Sequence, residues 1–202
     1  MKLASLDQLK MMLSISNTDT TQDALLNLFL DMTSGEIENY LNRSLKKMAR
    51  EEKFDFNTNI NEMGTDTIIL KAYPVDLTQP FTVQFRQQDS SDVYYDYKIN
   101  DDFFVLENEG ILKFIYHLPS YPPLSIYVNY TGGFDADADD VLDVPTALKS
   151  ACLMQCRYDY MQRNNIGVTE ISFQRELRQI TPAYDILPRV KNILDQYRSY
   201  AK

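Results

Sequence analysis

The sequence is poor in the residues on which most catalytic and metal sites are built. Its 202 residues include one histidine (His117), two cysteines (Cys152 and Cys156), six glycines and no tryptophan. A single imidazole gives one candidate for a histidine-dependent dyad or triad, and two thiols with one imidazole fall short of a closed structural zinc site. Two cysteines four positions apart do not form a disulfide framework, so buried core thiols are the default interpretation.

Glycine-rich motifs for nucleotide binding and nucleophilic catalysis are also missing. The chain contains no P-loop, no GxGxxG fingerprint and no GxSxG elbow. Acidic residues are numerous, but no spacing among the 29 of them singles out a catalytic pair. The sequence therefore predicts no catalytic residue, no metal site and no cofactor.

Positive charge is scarce relative to negative charge. The chain carries 20 Lys and Arg against 29 Asp and Glu, which gives a net charge of −9. This balance argues against a protein that grips duplex DNA or an anionic membrane, although an acidic wall lets DNA pass without sticking. The one basic cluster, in residues 43–53, is interpreted as a solvated helix end because it is short and has acids beside it.

Long apolar runs are absent. No segment approaches the ~18 residues that a spanning helix needs. Residues 1–13 have the pattern of an amphipathic helix and not of a signal peptide. We therefore expect a protein made in a reducing cytosol, without a membrane partner.

The first of three blocks, about residues 5–44, has helical periodicity. Ser5 is a candidate N-cap for a short helix, and the polar residues 16–21 separate it from a longer one. Two helices joined by a tight polar turn should pack as a helical hairpin. The longer helix is predicted to bury one broad apolar stripe, formed by Ala24, Leu25, Leu28, Phe29, Met32, Ile37, Tyr40 and Leu41.

The second block has strand periodicity. Alternating apolar and polar residues with turn signals between them predict five or more strands, and the absence of a helical pattern favours an antiparallel sheet. Gly110 is available for a hairpin turn. The predicted strands lie at about 67–71, 81–86, 93–99, 103–106, 111–116 and 124–130.

The third block is helical again. An acidic loop, residues 135–140, has Asp140 where a calcium loop needs glycine, so a solvated loop is predicted. A helix follows to about residue 164, then a polar, mixed segment, residues 165–183. A final helix, about 186–200, shows a stripe that is either folded back on the core or reserved for a partner: Ile186, Leu187, Val190, Ile193, Leu194 and Tyr197.

The three blocks together predict the α+β class. A helical bundle would be formed by an N-terminal helical hairpin, residues 1–52, and by C-terminal helices, residues 135–202. An antiparallel β-sheet domain, residues 53–134, would be inserted between them.

Short motifs follow one another in a fixed order along the chain. A Y-L-x-R-x-[LF] motif ends the long helix, a Y-P-V turn lies in the β-region, and a closing V-x-Y-x-G-G strand precedes a V-P-x-x-[LI]-x-x-A helix start. Together these elements cover about residues 5–164. The chain resembles the head–tail connector (adaptor, or head completion) proteins of tailed phages, and in particular the longer members of that family, which have a β-region between their helices. The motifs are Tyr40-Leu41-Asn42-Arg43-Ser44-Leu45, Tyr73-Pro74-Val75, Val128-Asn129-Tyr130-Thr131-Gly132-Gly133 and Val144-Pro145-Thr146-Ala147-Leu148-Lys149-Ser150-Ala151.

The resemblance implies a structural protein of the virion, made in the host cell cytoplasm and without catalysis. Such proteins form a homo-oligomeric ring, commonly dodecameric, beneath the portal protein. The ring extends the DNA exit channel, through which DNA passes without specific binding, and offers a surface to a tail, stopper or nozzle protein. The stripe of the last helix would then be the portal-docking surface, because a helix this short is marginal alone in water.

Two other functions compete with this interpretation. A carbohydrate- or protein-binding accessory module would use a tyrosine-rich sheet face, with Tyr94, Tyr95 and Tyr97, although strand tyrosines more often cover a half-buried sheet. A small hydrolase would use acidic residues with His117. Neither rival has a recognisable site in the sequence.

Overall fold

The structure is a computed structural model and describes residues 1–54, 67–86, 91–115, 125–163, 170–173, 176–179 and 186–199. The chain forms two compact units. The first, the helical unit, consists of Met1–Leu41 and Ala136–Arg198, and the second, the sheet unit, is built mainly from Asn42–Asp135. Helices and antiparallel sheets are both present, which confirms the predicted α+β class.

The helical unit contains four helices within the described residues. They are α1 (Leu6–Leu13), α2 (Asp23–Leu41), α3 (Thr146–Gln162) and α4 (Pro188–Leu194). Ser5 caps α1 as predicted, because its hydroxyl accepts the Gln8 amide at 3.3 Å while the Gln8 side chain accepts the Ser5 amide at 3.0 Å. None of these helices combines the length and the apolar character that crossing a bilayer requires.

The core of the helical unit lies between α2 and α3, with α1 and α4 packed on them. The predicted stripe of α2 is partly wrong: Leu26 and Leu30 are buried, whereas Leu25, Leu28 and Met32 are exposed. Helix α2 is apolar on more than one side, so periodicity alone does not fix the buried face. The buried side chains include Leu3, Leu9, Leu26, Leu30, Ile37, Leu41, Leu148, Ala151, Cys152, Cys156, Val190 and Leu194.

The turn between α1 and α2 is organised around a buried lysine. Lys10 is 2% exposed, and its ammonium lies 2.5 Å from the Asp23 carboxylate at the start of α2. The same ammonium donates to the carbonyl oxygen of Asp19 at 2.9 Å and to that of Asn17 at 3.4 Å. One cation therefore compensates three oxygens of the turn and fixes the register between the two helices.

The sheet unit contains seven strands within the described residues, and two antiparallel sheets share one apolar core. One sheet has the order β1-β7-β3-β4 and the other β2-β6-β5. The core side chains include Ile68, Leu70, Val83, Phe103, Leu112, Ile126, Val128 and Tyr130. The strands are β1 (Met48–Phe54), β2 (Thr67–Ile69), β3 (Thr82–Arg86), β4 (Val93–Tyr97), β5 (Phe103–Leu106), β6 (Ile111–Phe114) and β7 (Ile126–Gly132).

The interpretation of residues 43–53 as a solvated helix end is wrong. Helix α2 ends at Leu41, and β1 pairs along its whole length with β7, for example Glu51 with Asn129. The sequence of β1 has little apolar alternation, so the strand is specified by its pairing with a central, buried neighbour.

Two further differences concern the C-terminal block. Within the segment predicted as polar and mixed, β8 (Glu170–Phe173) and β9 (Glu176–Gln179) pair antiparallel. The last helix is shorter than predicted, because it begins with Pro188 and ends at Leu194. Proline suits the first helical turn, where its missing N–H is not needed.

Replacing Lys10 with methionine should destabilise the helical unit, because Asp23 and two carbonyl groups would lose their cation. We expect the free energy of unfolding to fall by about 3 kcal/mol in urea denaturation followed by circular dichroism. Lys149→Met is the matched control, since Lys149 pairs at 3.2 Å with the exposed Asp143, and it should cost less than about 1 kcal/mol. Equal losses in the two variants would contradict a special role for Lys10.

Candidate assembly surfaces

The first of the family-like motifs spans the point where the chain leaves the helical unit. Leu41 ends α2 and is buried, and Asn42 follows in a left-handed conformation with φ 51°. Asparagine tolerates this conformation better than most residues, so it suits the position after a helix. The motif therefore combines a helix end with the entry into the sheet unit.

Arg43 is the buried arginine of this motif. Its guanidinium carbon lies 3.2 Å from the centre of the Tyr73 ring and 5.7 Å from that of Phe134, and its Nη2 donates to the Tyr73 carbonyl oxygen. Burial lowers the pKa of Arg43, while Tyr73 favours the charged form. The guanidinium therefore stacks between two aromatic rings, which lysine cannot reproduce.

The other two sheet motifs meet at the same place. A side-chain carbon on Gly132 would lie 2.5 Å from the Ala72 carbonyl oxygen, and one on Gly133 would lie 2.6 Å from the Lys46 backbone. The Gly133 amide donates to the Pro74 carbonyl oxygen at 2.9 Å. We call Arg43, Tyr73, Tyr130, Gly132 and Gly133 the motif cluster.

Tyr130 completes the motif cluster from within β7. Its hydroxyl donates to Glu52 at 2.6 Å and accepts the Ala72 amide at 3.0 Å. Burial is the largest cause that raises the pKa of Tyr130, and the Glu52 carboxylate adds to it. Since every member either packs or bonds within the sheet unit, the motif cluster is a structural element without a reactive group.

The predicted portal-docking stripe lies on and around α4. Val190 and Leu194 are fully buried, and α4 packs on α3 and α2. The remaining members are half-buried: Ile186, Leu187, Ile193 and Tyr197. Of the two alternatives that the sequence left open, this structure has the helix folded back on the core, with one side still partly accessible.

Two side chains hold this C-terminal segment, residues 186–199, at its two ends. The Gln155 side-chain oxygen accepts the Leu187 amide at 2.9 Å. The Tyr40 hydroxyl donates to Asp195 at 2.7 Å, and the Arg198 guanidinium carbon lies 5.2 Å from the centre of the Tyr40 ring. The sequence analysis missed Gln155, because a buried glutamine on a helix carries no pattern of its own.

Asp159 is a half-buried acid that contacts Gln155. Its carboxylate accepts from the Gln155 amide at 2.9 Å. Burial raises the pKa of Asp159 to about 7, and the Glu36 carboxylate acts in the same direction, whereas hydrogen bonds from Gln155 and Thr33 act against it. Gln155 therefore joins Asp159 to the start of the C-terminal segment through two hydrogen bonds.

The candidate tyrosine face is part of the sheet packing. The Tyr95 hydroxyl donates to Asp102 at 3.2 Å, and the Tyr95 and Tyr97 rings meet edge-on at 4.8 Å. Tyr97 in turn contacts Phe114 at 5.5 Å. Tyr94 and Tyr95 are still 58% and 50% exposed. These tyrosines therefore cover the edge of the sheet, which is the commoner role of tyrosines in strands.

A nearby cleft and the acidic loop offer no recognisable chemistry. The cleft has a volume of about 470 Å³ and is lined by Leu77, Gln79, Phe81, Ile99, Asn100, Val105 and Glu107. In the loop, Asp137 accepts the amides of Asp139 and Val141 at 2.9 Å each. Its carboxylate therefore stabilises the loop itself, as in an Asx turn.

No group of three or more metal-binding side chains occurs in the part of the chain that the structure describes. Cys152 and Cys156 are free, buried thiols. Burial raises the pKa of Cys152 to about 11 and that of Cys156 to about 12, so neither is a reactive thiolate. His117 lies outside the described residues.

Comparison with known proteins identifies the class to which this arrangement belongs. The family model described as "Head completion protein" matches residues 2–200. The chain belongs to this head completion protein family, which confirms the family that the motifs predicted. No curated protein matches.

Solved structures share the fold. A chain in the neck of an empty GTA particle, computed with C6 symmetry, matches with a TM-score of 0.54 and 13% identity, covering 99% of this chain and 91% of that one. A chain in the virion of a native gene transfer agent particle matches with a TM-score of 0.55 and 11% identity over the same shares. At these identities the likeness establishes the fold.

Replacing Arg43 with lysine should destabilise the sheet unit. Lysine keeps the charge but loses the planar stack on Tyr73, so we expect a loss of about 2 kcal/mol in urea denaturation. Arg86→Lys is the control, because Arg86 is half-exposed and its guanidinium carbon lies farther from a ring, 4.8 Å from the centre of Tyr127. An Arg43→Lys variant as stable as the control would show that the stack contributes little.

The Asp159 carboxyl predicts a pH dependence of stability. Because its folded pKa of about 7 lies above its ordinary value of 3.8, the folded state binds more protons, so stability is greatest at low pH and is lost as pH rises through this range. Partial exposure reduces the loss to roughly 1–2 kcal/mol. Asp159→Asn should remove this loss in urea denaturation at pH 5 and pH 8, whereas the exposed Asp7→Asn should retain it. A wild-type protein equally stable at both pH values would contradict the assignment.

Proposed function

We propose that the protein is a structural head–tail connector of a tailed phage or phage-like virion. The observation that carries this proposal is the head completion family match over residues 2–200. The fold is shared with chains in the neck and virion of gene transfer agent particles, which supports a location at the head–tail junction.

The proposed assembly is a homo-oligomeric ring beneath the portal protein. A neck with six-fold symmetry accommodates the dodecamer that the connector family implies, and such a ring presents its lower side to a tail, stopper or nozzle protein. The net charge of −9 suits a channel wall along which DNA slides without being bound.

The proposed portal contact is the C-terminal segment. Its buried residues, Val190 and Leu194, hold α4 on the helical unit. Hydrogen bonds to Gln155 and Tyr40 fix the two ends of the segment. This arrangement leaves the half-buried stripe residues available to a partner without unfolding the helix. A pre-ordered helix loses less conformational entropy on binding than a disordered one.

The ring is tested by purifying the protein together with its portal protein and measuring the mass of the complex. We expect many copies of the 23.5 kDa protomer per portal, and hydrogen exchange in residues 186–199 should slow on binding. Ile193→Gln should weaken portal binding at least about tenfold, because a half-buried apolar contact is lost. The control in the same C-terminal segment is Gln196→Ala, which alters an exposed residue in the turn after α4 and should leave portal binding unchanged.

The possible outcomes separate the parts of the proposal. A protein that never joins the portal vertex in multiple copies would refute the connector function. A ring that forms with unchanged exchange in residues 186–199 would refute only the assignment of the portal contact. Binding of a carbohydrate by a monomer would support the accessory-module alternative.

A further inference from the structure

Helix α2 carries an apolar face that stays exposed in the described part of the chain. Leu25, Leu28 and Met32 are spaced by three and four residues, so they lie on one side of the helix. They are 38%, 55% and 54% exposed. The exposed Glu36 extends the same line by another turn. We call these four residues the α2 outer face.

Charge on α2 is of one sign. The helix contains four acidic residues and no basic residue: Asp23, Asp31, Glu36 and Glu38. Asp31 and Glu36 are exposed beside the apolar side chains. A second copy that presented the same face by two-fold symmetry would therefore place acids against acids, which is unfavourable.

Helix α3 carries a second accessible face of the opposite character. Met154, Arg157 and Met161 are again spaced by three and four residues. Met161 is 58% exposed, Arg157 is exposed and Met154 is half-buried. Arg163, also exposed, follows the end of the helix. We call Met154, Arg157 and Met161 the α3 outer face.

We propose that the α2 outer face of one copy packs on the α3 outer face of the next copy around the ring. This inference rests on the proposed connector function and names the contact that closes the ring. Closed rings of more than two copies need two different, complementary patches on each subunit, since a self-complementary patch stops at a dimer. The two outer faces are such a pair, because each combines methionine or leucine side chains with one sign of charge.

The pairing also fits the physics of helix contacts. The leucine and methionine side chains of the α2 outer face would interdigitate with the methionines of the α3 outer face at an interaxial distance of about 8–10 Å. Glu36 of one copy and Arg157 of the next would lie at the rim of this contact, where opposite charges select the partner and its orientation more than they add affinity. Methionine adapts to an irregular opposing surface, which suits a contact repeated around a ring.

Cysteine cross-linking tests the contact. The native thiols are buried, so a double variant, Met32→Cys with Met161→Cys, adds the only accessible pair in the described part of the chain. A bismaleimide with a spacer of about 10 Å spans facing positions of two packed helices. Applied to the ring assembled with portal, it should yield a ladder of covalent multimers on a denaturing gel.

Single variants and a matched control give the contact its direction. Met32→Cys alone and Met161→Cys alone should each remain monomeric on the gel, whereas an equal mixture of the two should stop at dimers. Met11→Cys combined with Met161→Cys is the control, because Met11 is 75% exposed but lies on α1, away from both outer faces. It should give no ladder.

Each result has one meaning. A ladder from the Met32–Met161 pair and none from the control supports the proposal. Dimers from Met32→Cys alone, or a ring of normal mass that gives no ladder, overturn it and leave the connector function intact. A protein that forms no ring with portal overturns both, and the mass measurement distinguishes this case from the previous one.

Discussion

The sheet unit depends on the close approach of three chain segments that are far apart in sequence. Arg43 stacks on Tyr73, and the backbone at Gly132 and Gly133 lies directly against residues 72 and 46. A side chain at either glycine would collide with backbone atoms, which have no freedom to move aside. The two sheets therefore share one core because glycine and a planar cation let their connecting segments meet. These contacts are packing contacts and backbone hydrogen bonds within the sheet unit.

The regular elements could be predicted wherever local sequence and tertiary environment agree. Ser5 caps α1 as its hydroxyl and the Gln8 side chain suggested, and the alternation in residues 103–106 and 111–114 corresponds to a hairpin. Strand β1 was missed because its sequence, rich in charged residues, does not alternate in polarity. Its conformation is imposed by β7, a buried central strand, and that information lies more than 70 residues away.

The surfaces were harder to predict than the elements. Periodicity identified the apolar residues of α2 but not which of them face α3, because the helix has two apolar sides. On the buried side, the Ser34 hydroxyl lies 3.7 Å from the Cys152 sulfur of α3. The candidate portal stripe was predicted from its spacing, whereas Gln155 and Tyr40 were not predicted to hold it, because the contacts of individual polar side chains leave no periodic pattern in the sequence. Polar residues of this kind become recognisable only when their partners are known.

In the helical unit, the positions of individual ionisable side chains matter more for the structure than the net charge does. The buried Lys10 fixes the turn at one end of α1, and the half-buried Asp159 carboxyl contacts Gln155, which binds the start of the C-terminal segment. Each of these polar groups favours one local conformation through its specific partners, which an apolar side chain in the same position could not do. Most acidic residues in the described part of the chain, in contrast, are exposed.

The chain enters and leaves the sheet unit side by side. The Phe134 amide donates to the Leu45 carbonyl oxygen at 2.7 Å, and the Lys47 amide donates to the Phe134 carbonyl oxygen at 2.9 Å. Because hydrogen bonds hold the two ends of the β-region together, the length of the chain between them has little effect on the helical unit. A change in the length or content of the β-region would therefore leave the spacing between these two ends unchanged.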